Sequence, residues 1–520
     1  MKNYIHHDQG LAPPMRDSVT PLRPTNVAEV QHMVREARAR RHAIHPISTG
    51  LNWGYSNDVP ADQSTVLMDL GGMRGIRNAA EISERNPVAV IEPGVTQWQL
   101  HEFLSRQAPG LMFNVTGSAR ETNIIGNALD RGVGYLGPRR DDLFGLEVVI
   151  GTGEVIQTGF RRLGDDSPLA HCHPFGLGPM LDGLFFQGNF GIVTSACFRL
   201  VPKPPRQLAV SLSLLRAADL PQFIDVLAAL KRERIMGSVT HIGNQARTQA
   251  SLGAGISGYL SQRCGLGGVA LEQEARRAIA TVAPHEWTSL GGISGTDGQV
   301  RAALAEVRRR MRKLARVGTF DNLKLERGYA VLDRLRVVPW ARANAAAIHA
   351  IRPLHGLAVG VPTDAAIDNL LWRFGRPELP ATQLMESDCG ILFISPALPM
   401  DGAFAADVVA GMTAIAREHS HALYVTINIE TESSLVAVTN LLFDRRNPDA
   451  LRSANVCADA LHGYIRSRSL EVYRARNDMM PAITDAGSPY WQAVSRLKAA
   501  LDPDGVISPG HYSLVQPDLA

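Results

Sequence analysis

The chain lacks any CxxC pair, and its five cysteines, Cys172, Cys197, Cys264, Cys389 and Cys457, are scattered and odd in number. That pattern excludes a disulfide framework and a cysteine-built zinc site, and it fits a reducing compartment. Long apolar runs are missing as well. No stretch reaches the roughly 18 consecutive apolar residues of a membrane span, and Met1-Lys-Asn-Tyr-Ile-His-His7 has no signal-peptide core, so a soluble cytoplasmic protein is expected. Charge of one sign is also lacking, with 53 Lys and Arg against 50 Asp and Glu. A nucleic-acid binder would concentrate its cations with aromatics on one element, and this chain does not. The densest basic stretch, Arg301 to Arg316, reads as a solvated helix face, with docking of an acidic carrier protein or electron acceptor as the alternative. His171-Cys172-His173 offers two ligands one residue apart and no third, so no metal site is expected.

What is present suits a two-domain enzyme. At 520 residues and 45% hydrophobic composition, the chain is too long for a single core. Apolar positions Val27, Val30, Val34 and Ala37 recur at helical spacing, and the β-rich His42 to Ile47 follows. Val66–Met68, Val88–Ile91 and Leu146–Ile150 read as strands, with a hairpin turn at Gly151–Glu154. Pro202-Lys-Pro-Pro205 marks an extended connector. Beyond it lie helical stretches at Leu220–Arg232, Leu271–Val282 and Val300–Arg316, β-rich sequence from Tyr424 to Asp444, and a helix from Pro448 to about Arg468.

Two glycine-rich segments stand out. Pro46-Ile-Ser-Thr-Gly-Leu-Asn-Trp-Gly-Tyr55 and Gly126-Asn-Ala-Leu-Asp-Arg-Gly-Val-Gly-Tyr135 both mix glycines with small donors. Each is expected to be a loop whose N–H groups nest around a diphosphate, helped by Ser48, Thr49, Asn52 and Asn127. A third motif, Asp182-Gly-Leu-Phe-Phe-Gln-Gly-Asn-Phe-Gly-Ile-Val-Thr194, follows in order.

Together with Thr20-Pro-Leu-Arg-Pro-Thr25, Glu92-Pro-Gly-Val-Thr96 and Leu501-Asp-Pro-Asp-Gly-Val-Ile-Ser-Pro-Gly510, these motifs resemble the vanillyl-alcohol oxidase and p-cresol methylhydroxylase family. The resemblance implies an α+β fold: a bipartite FAD-binding domain that is not a Rossmann fold, and an α+β cap domain over the substrate. The expected boundaries are 1–225 for the first part of the FAD domain, 226–470 for the cap and 471–520 for the return. The implied activity is hydride transfer from an alcohol, benzylic or similarly activated C–H carbon to flavin N5, in a specialised biosynthetic oxidase or dehydrogenase. The alternatives are a p-alkylphenol dehydrogenase or hydroxylase, and a flavin-binding protein without redox turnover. Partners are then a small-molecule substrate and either oxygen or a separate acceptor; relatives of this kind are commonly homodimers.

The same resemblance assigns residues. Tyr473 and Arg474 match the pair that stabilises substrate phenolate and reduced flavin, where a cation suits the developing negative charge. Gln97 and Tyr135 fall at substrate-pocket positions. Ile47, Ser48, Thr49, Gly50, Leu51, Asn52 and Trp53 are expected around FAD, as are Thr116, Gly117, Ser118 and Asn123. Gly126, Asn127, Gly132, Gly191, Ile192 and Val193 complete that set, with Arg474 again and His511, which stands where the family often has Lys.

Three departures bear on chemistry. Gln97 replaces a second pocket tyrosine, leaving the phenolate clamp incomplete. Ser387 to Pro396, the region of covalent flavin attachment in relatives, holds neither His nor Tyr, so non-covalent FAD is expected, with Cys389 as a buried structural thiol and a cysteinyl link to the flavin as the alternative. Thr426–Ile429 and Val436–Asn440 read as apolar, with Glu430 and Glu432 in a solvated turn. Arg139-Arg140 reads as exposed, with a role in favouring an anionic substrate as the alternative.

Overall fold

A computed structural model describes residues 21–56, 58–61 and 65–514. Met1 to His7 and Thr20 therefore lie outside the described residues.

The first helix, Val27–Arg40, forms because Val30, Val34 and Ala37 fall on one buried face and Asn26 caps its start by accepting from Glu29 N at 3.0 Å. Each fully buried valine contributes on the order of 1.5 kcal/mol or more. Arg41, at φ 55°, ends the helix and turns the chain into strand Ile44–Ile47, which pairs in parallel with Val66–Asp69. A four-stranded antiparallel sheet lies alongside, in the order Val88–Ile91, Gly191–Arg199, Leu143–Ile150, Val155–Gln157. The chain returns late to this half: Ile507 bridges to Ile44, and Ser508 N donates to Ile44 O at 2.8 Å. Buried Lys498 fastens that return, donating to Asp502 at 2.6 Å and to Ile507 O at 2.7 Å.

The second half is built on an antiparallel sheet of eight strands among the described residues. Its order is Ala315–Phe320, Arg206–Leu214, Trp287–Gly295, Thr240–Asn244, Tyr424–Ile429, Ser434–Asp444, Cys389–Phe393, with Ala397–Pro399 beside Ser434–Asp444. Period-two alternation gives its faces different jobs. Val425, Ile427, Ile429, Leu435, Ala437 and Leu441 pack on helices Leu220–Arg232, Gly402–Glu418 and Pro448–Ser467 to make the largest core. The cross-strand sets Tyr424–Asn440–Phe393 and Thr426–Val438, and the pair His241–Asn428, occupy the other face. That face meets the first half, where Phe393 stacks on Tyr55 and His241 lies against Tyr135.

Two expectations need correction here. The helix anticipated to Arg316 is Asp297–Met311, because Leu314 and Ala315 turn inward and open the strand Ala315–Phe320. The segment from Gly126 does not begin as a loop: Ile124–Leu129 is a short helix capped by Asn123, whose Oδ1 accepts from Gly126 N at 2.6 Å.

Candidate FAD site and substrate wall

A long cavity runs between the parallel strand pair and the late return of the chain. Ile47 to Asn52 form one side, Asn123 to Asp130 another, and Gly188, Asn189 and Gly191 to Val193 a third, with Ser508 and His511 closing the end. The main-chain N–H groups of residues 48–52 donate to no acceptor among the described residues. Gly50, at φ +66°, bends this row, a conformation that costs a side-chain-bearing residue about 1–2 kcal/mol. Consecutive unspent donors around a cavity are what an oligophosphate needs. The residues present therefore fit a dinucleotide.

Most of the anticipated cofactor positions come together here. Ile47, Ser48, Thr49, Gly50, Leu51 and Asn52 line the cavity, as do Asn123, Gly126, Asn127, Gly191, Ile192, Val193 and His511. Others do not. Trp53 packs in an apolar cluster with Leu384, Cys389 and Ile391. Gly132 lies against Asn127, where a Cβ would sit 2.1 Å from Oδ1. Thr116, Gly117 and Ser118 form a loop whose backbone is held by Gln97 rather than a wall of the cavity.

Gln97 is accordingly not a pocket residue. It is wholly buried; Nε2 donates to Ala119 O at 2.8 Å and Oε1 accepts from Thr116 N at 2.8 Å. Arg139, read as exposed, is also fully buried, donating to Asn127 Oδ1 at 3.1 Å and lying against Phe198. Burial pulls its guanidinium down to about 10, against the opposing charge of Asp142. Arg140 keeps a partly open side chain. Glu430, placed in a solvated turn, is buried, and burial raises its carboxyl while Arg140 pulls it down; Glu432 is exposed. The strands read as apolar carry polar groups on the facing side, Asn428 and Asn440, which single-strand reading concealed. His171 leans 3.6 Å from Asp165 while His173 packs edge-on to Phe160, so the two do not converge.

The Tyr473-Arg474 pair is deep rather than superficial. Arg474 pairs with Asp130, donates to Asn52 Oδ1 at 2.7 Å and lies 4.0 Å from the centre of the Tyr55 ring. Burial would lower its pKa, but Asp130 more than compensates and the guanidinium stays charged. Tyr55 is flanked by this cation and by Phe393, stacked at 4.7 Å, with its hydroxyl 3.5 Å from that of Tyr473. Gly54, at φ +78°, makes the stack possible, since a Cβ there would fall 2.3 Å from the Phe393 ring. The Tyr473 phenol is pushed well above its usual range, first by burial and then by Tyr55. A second tyrosine therefore does stand beside Tyr473, supplied by Tyr55 and not by position 97.

On the sheet side, Tyr135 covers His241 at 4.7 Å, and burial pushes its phenol up to about 12. His241 Nδ1 lies 2.7 Å from Asn428 Oδ1, which makes Nδ1 the donor and leaves Nε2 a lone pair without a partner. Burial holds this ring near 4, hence neutral.

A family model described as an FAD binding domain matches residues 21–159. Along 94% of the chain, the 4-cresol dehydrogenase flavoprotein subunit of Pseudomonas putida is 25% identical, covering 87% of that protein. Over most of its length the chain is similar to proteins of the vanillyl-alcohol oxidase and p-cresol methylhydroxylase type. The matched FAD-binding domain and the full-length relatives support an FAD-dependent oxidoreductase. The 1'-carboxy-chondrochloren decarboxylase of Chondromyces crocatus is 28% identical over 94% of this chain and 90% of its own. In fold, 4-ethylphenol oxidase from Gulosibacter chungangensis, in its isoeugenol complex, superposes with a TM-score of 0.80 at 23% identity, covering 99% of this chain and 93% of that one. Substrate-bound p-cresol methylhydroxylase gives 0.78 at 22%, covering 95% and 88%. Among the described residues no helix is long and apolar enough to cross a membrane.

Several site residues had no separate signal in the sequence. Asp130 lies inside the second glycine segment yet gains its role only by meeting Arg474, 344 positions away. Tyr55, at the end of the first segment, likewise meets Tyr473 only in three dimensions.

Proposed function

We propose that the protein oxidises an alcohol or a similarly activated benzylic C–H bond of a small, ring-bearing substrate held beside Tyr473. The observation that carries this is the cluster of half-buried Tyr473 with buried Tyr55 and Arg474 next to the dinucleotide cavity. FAD, when bound, supplies the two-electron acceptor. This chain's residues do the rest. The Tyr473 and Tyr55 hydroxyls offer hydrogen bonds to an oxygen of the substrate, and the permanent charge of Arg474 favours negative charge developing near them. His241 Nε2, neutral and open, can accept a proton from a substrate hydroxyl. Closely packed Phe393 and Tyr135 keep bulk water out.

The Tyr55–Tyr473 pair favours a p-alkylphenol as the second reading, because a two-phenol clamp suits a phenolate oxygen. Cys389, buried away from the cavity, supports non-covalent FAD. Electrons then pass to oxygen or a separate acceptor, and a cytoplasmic homodimer remains part of this proposal. The test is anaerobic mixing of yellow holoenzyme with 4-hydroxybenzyl alcohol and 4-ethylphenol, followed by admission of air. Bleaching and recovery of the flavin absorbance is expected with at least one, and product mass identifies the bond oxidised. A flavin that stays oxidised with every activated alcohol and alkylphenol tried refutes the reading.

A further inference from the structure

Buried guanidinium groups in this protein come with carboxylates. Arg161 has Asp165, Arg474 has Asp130 and Arg476 has Asp478, while Arg139 lies within the field of Asp142. Arg247 is different. It sits in the first turn of helix Gln245–Cys264, over the flavin-facing side of the large sheet, and makes no ion pair with any described residue. Burial draws its pKa down to about 10, opposed only by the phenols of Tyr424 and Tyr55, so it remains a cation at neutral pH. Its side chain is half-buried with Nε shut off from solvent, and a cation so enclosed without a counter-charge is costly unless something else brings the negative charge.

Its surroundings say what. Arg247 Nη2 donates to Asn440 Oδ1, which orients the carboxamide. Two buried donors are then left without acceptors, Arg247 Nε and Asn440 Nδ2. Asn440 stands between Tyr424 and Phe393 across the strands, and Phe393 is the ring stacked on Tyr55. The orphan donors thus lie on the cap wall of the same chamber that holds Tyr55 and Tyr473. Thr426 and Val438, central in this sheet, keep accessible surface on that side, so space remains in front of it.

We propose that Arg247 and Asn440 form a subsite for a carboxylate carried by the substrate. One positive charge matches a monoanion, and two orphan N–H donors match a planar pair of oxygens. A phosphate dianion would leave one negative charge buried without an opposing group. The subsite fixes the substrate's far end while its oxidisable carbon is presented beside Tyr473, and so rests on the reading given under Proposed function.

The test uses holoenzyme and two probes that share a ring and differ in charge, 4-hydroxymandelate and 4-hydroxybenzyl alcohol, titrated anaerobically while the flavin spectrum is followed. The carboxylate probe is expected to bind about 10- to 100-fold more tightly, the scale of a charge-assisted hydrogen bond. Arg247→Met should abolish that preference with the neutral probe shifted by no more than about twofold, and Arg247→Lys should retain part of it. Asn440→Ala should lose a few-fold. Equal affinity of wild type for both probes, or binding of neither, overturns the proposal, as does a preference that survives in flavin-replete Arg247→Met. If the Met variant does not fold, an Arg247→Lys protein with undiminished preference has the same force. An Arg247-dependent preference without flavin bleaching by any probe leaves the subsite standing and defeats the oxidation reading; bleaching without preference does the reverse.

Discussion

Replacing Asp130 with asparagine leaves Arg474 buried without its counter-charge. The Arg474 side chain is 7% exposed and that of Asp130 24%, so water rescues neither. Removing one partner of such a pair costs about 3–5 kcal/mol. Arginine cannot shed its proton, so the upper part of that range applies to Asp130→Asn. Arg474→Met cuts the same pair from the other side, but Asp130 keeps the Asn52 donor at 3.2 Å, and the cost falls nearer about 2 kcal/mol. With about 2–4 °C per kcal/mol for a domain of roughly 200 residues, apo Asp130→Asn should melt at least about 8 °C below wild type, and Arg474→Met about 4 °C or more below it. The ligand response separates charge from packing. Excess FAD adds negative charge to this cavity, so it should narrow the Asp130→Asn deficit and widen that of Arg474→Met. Differential scanning fluorimetry with and without FAD reads both effects. An Asp130→Asn protein as stable as wild type, or FAD responses of the same sign in the two variants, would refute the reasoning.

Stability should fall in acid because of histidines held neutral. Burial keeps His241 and His511 near 4, and Lys498 adds to the effect at His511, whereas the unfolded chain titrates near 6.5. The unfolded state therefore takes up protons that the fold refuses. The stabilisation is present above about pH 6.5 and lost as pH falls toward 4, by about 2 kcal/mol per histidine at pH 5. Urea midpoints at pH 7 and 5 measure this, and His511→Gln should flatten the slope. Gly54→Ala should cost about 2–5 kcal/mol, from left-handed strain plus displacement of the Phe393 ring, and should weaken probe binding beside Tyr55; an unchanged melting temperature sinks that account. Acid-precipitated protein should be colourless with FAD in the supernatant, for wild type and Cys389→Ser alike, and a flavin mass on any peptide would contradict it.

How much was legible in the sequence follows from where each signal resides. Helix Val27–Arg40 and the first glycine segment are written locally, in apolar spacing, the Asn26 cap and the φ freedom of glycine, and these place the row of unspent N–H groups. Tyr473-Arg474 was legible only through resemblance. Arg139, Glu430 and Arg247 were not, because charged residues read as solvated until distant segments close over them. Gln97 shows the converse: the position was identified, but its amide is consumed by the backbone of Thr116 and Ala119. The faces of the large sheet were obscured for a simpler reason. Asn428, Asn440 and His241 come from three strands, and their shared side exists only once the register is set.

The late return of the chain imposes an order on assembly. The His45 ring meets the Ser508 hydroxyl at 2.9 Å across 463 positions of sequence. On a ribosome the whole large sheet with its helices is made between those two points and can condense alone, since its principal core draws little from the first two hundred residues. The dinucleotide trough waits for Ser508 and His511. Newly made protein should therefore acquire colour last, after its roof has already hardened.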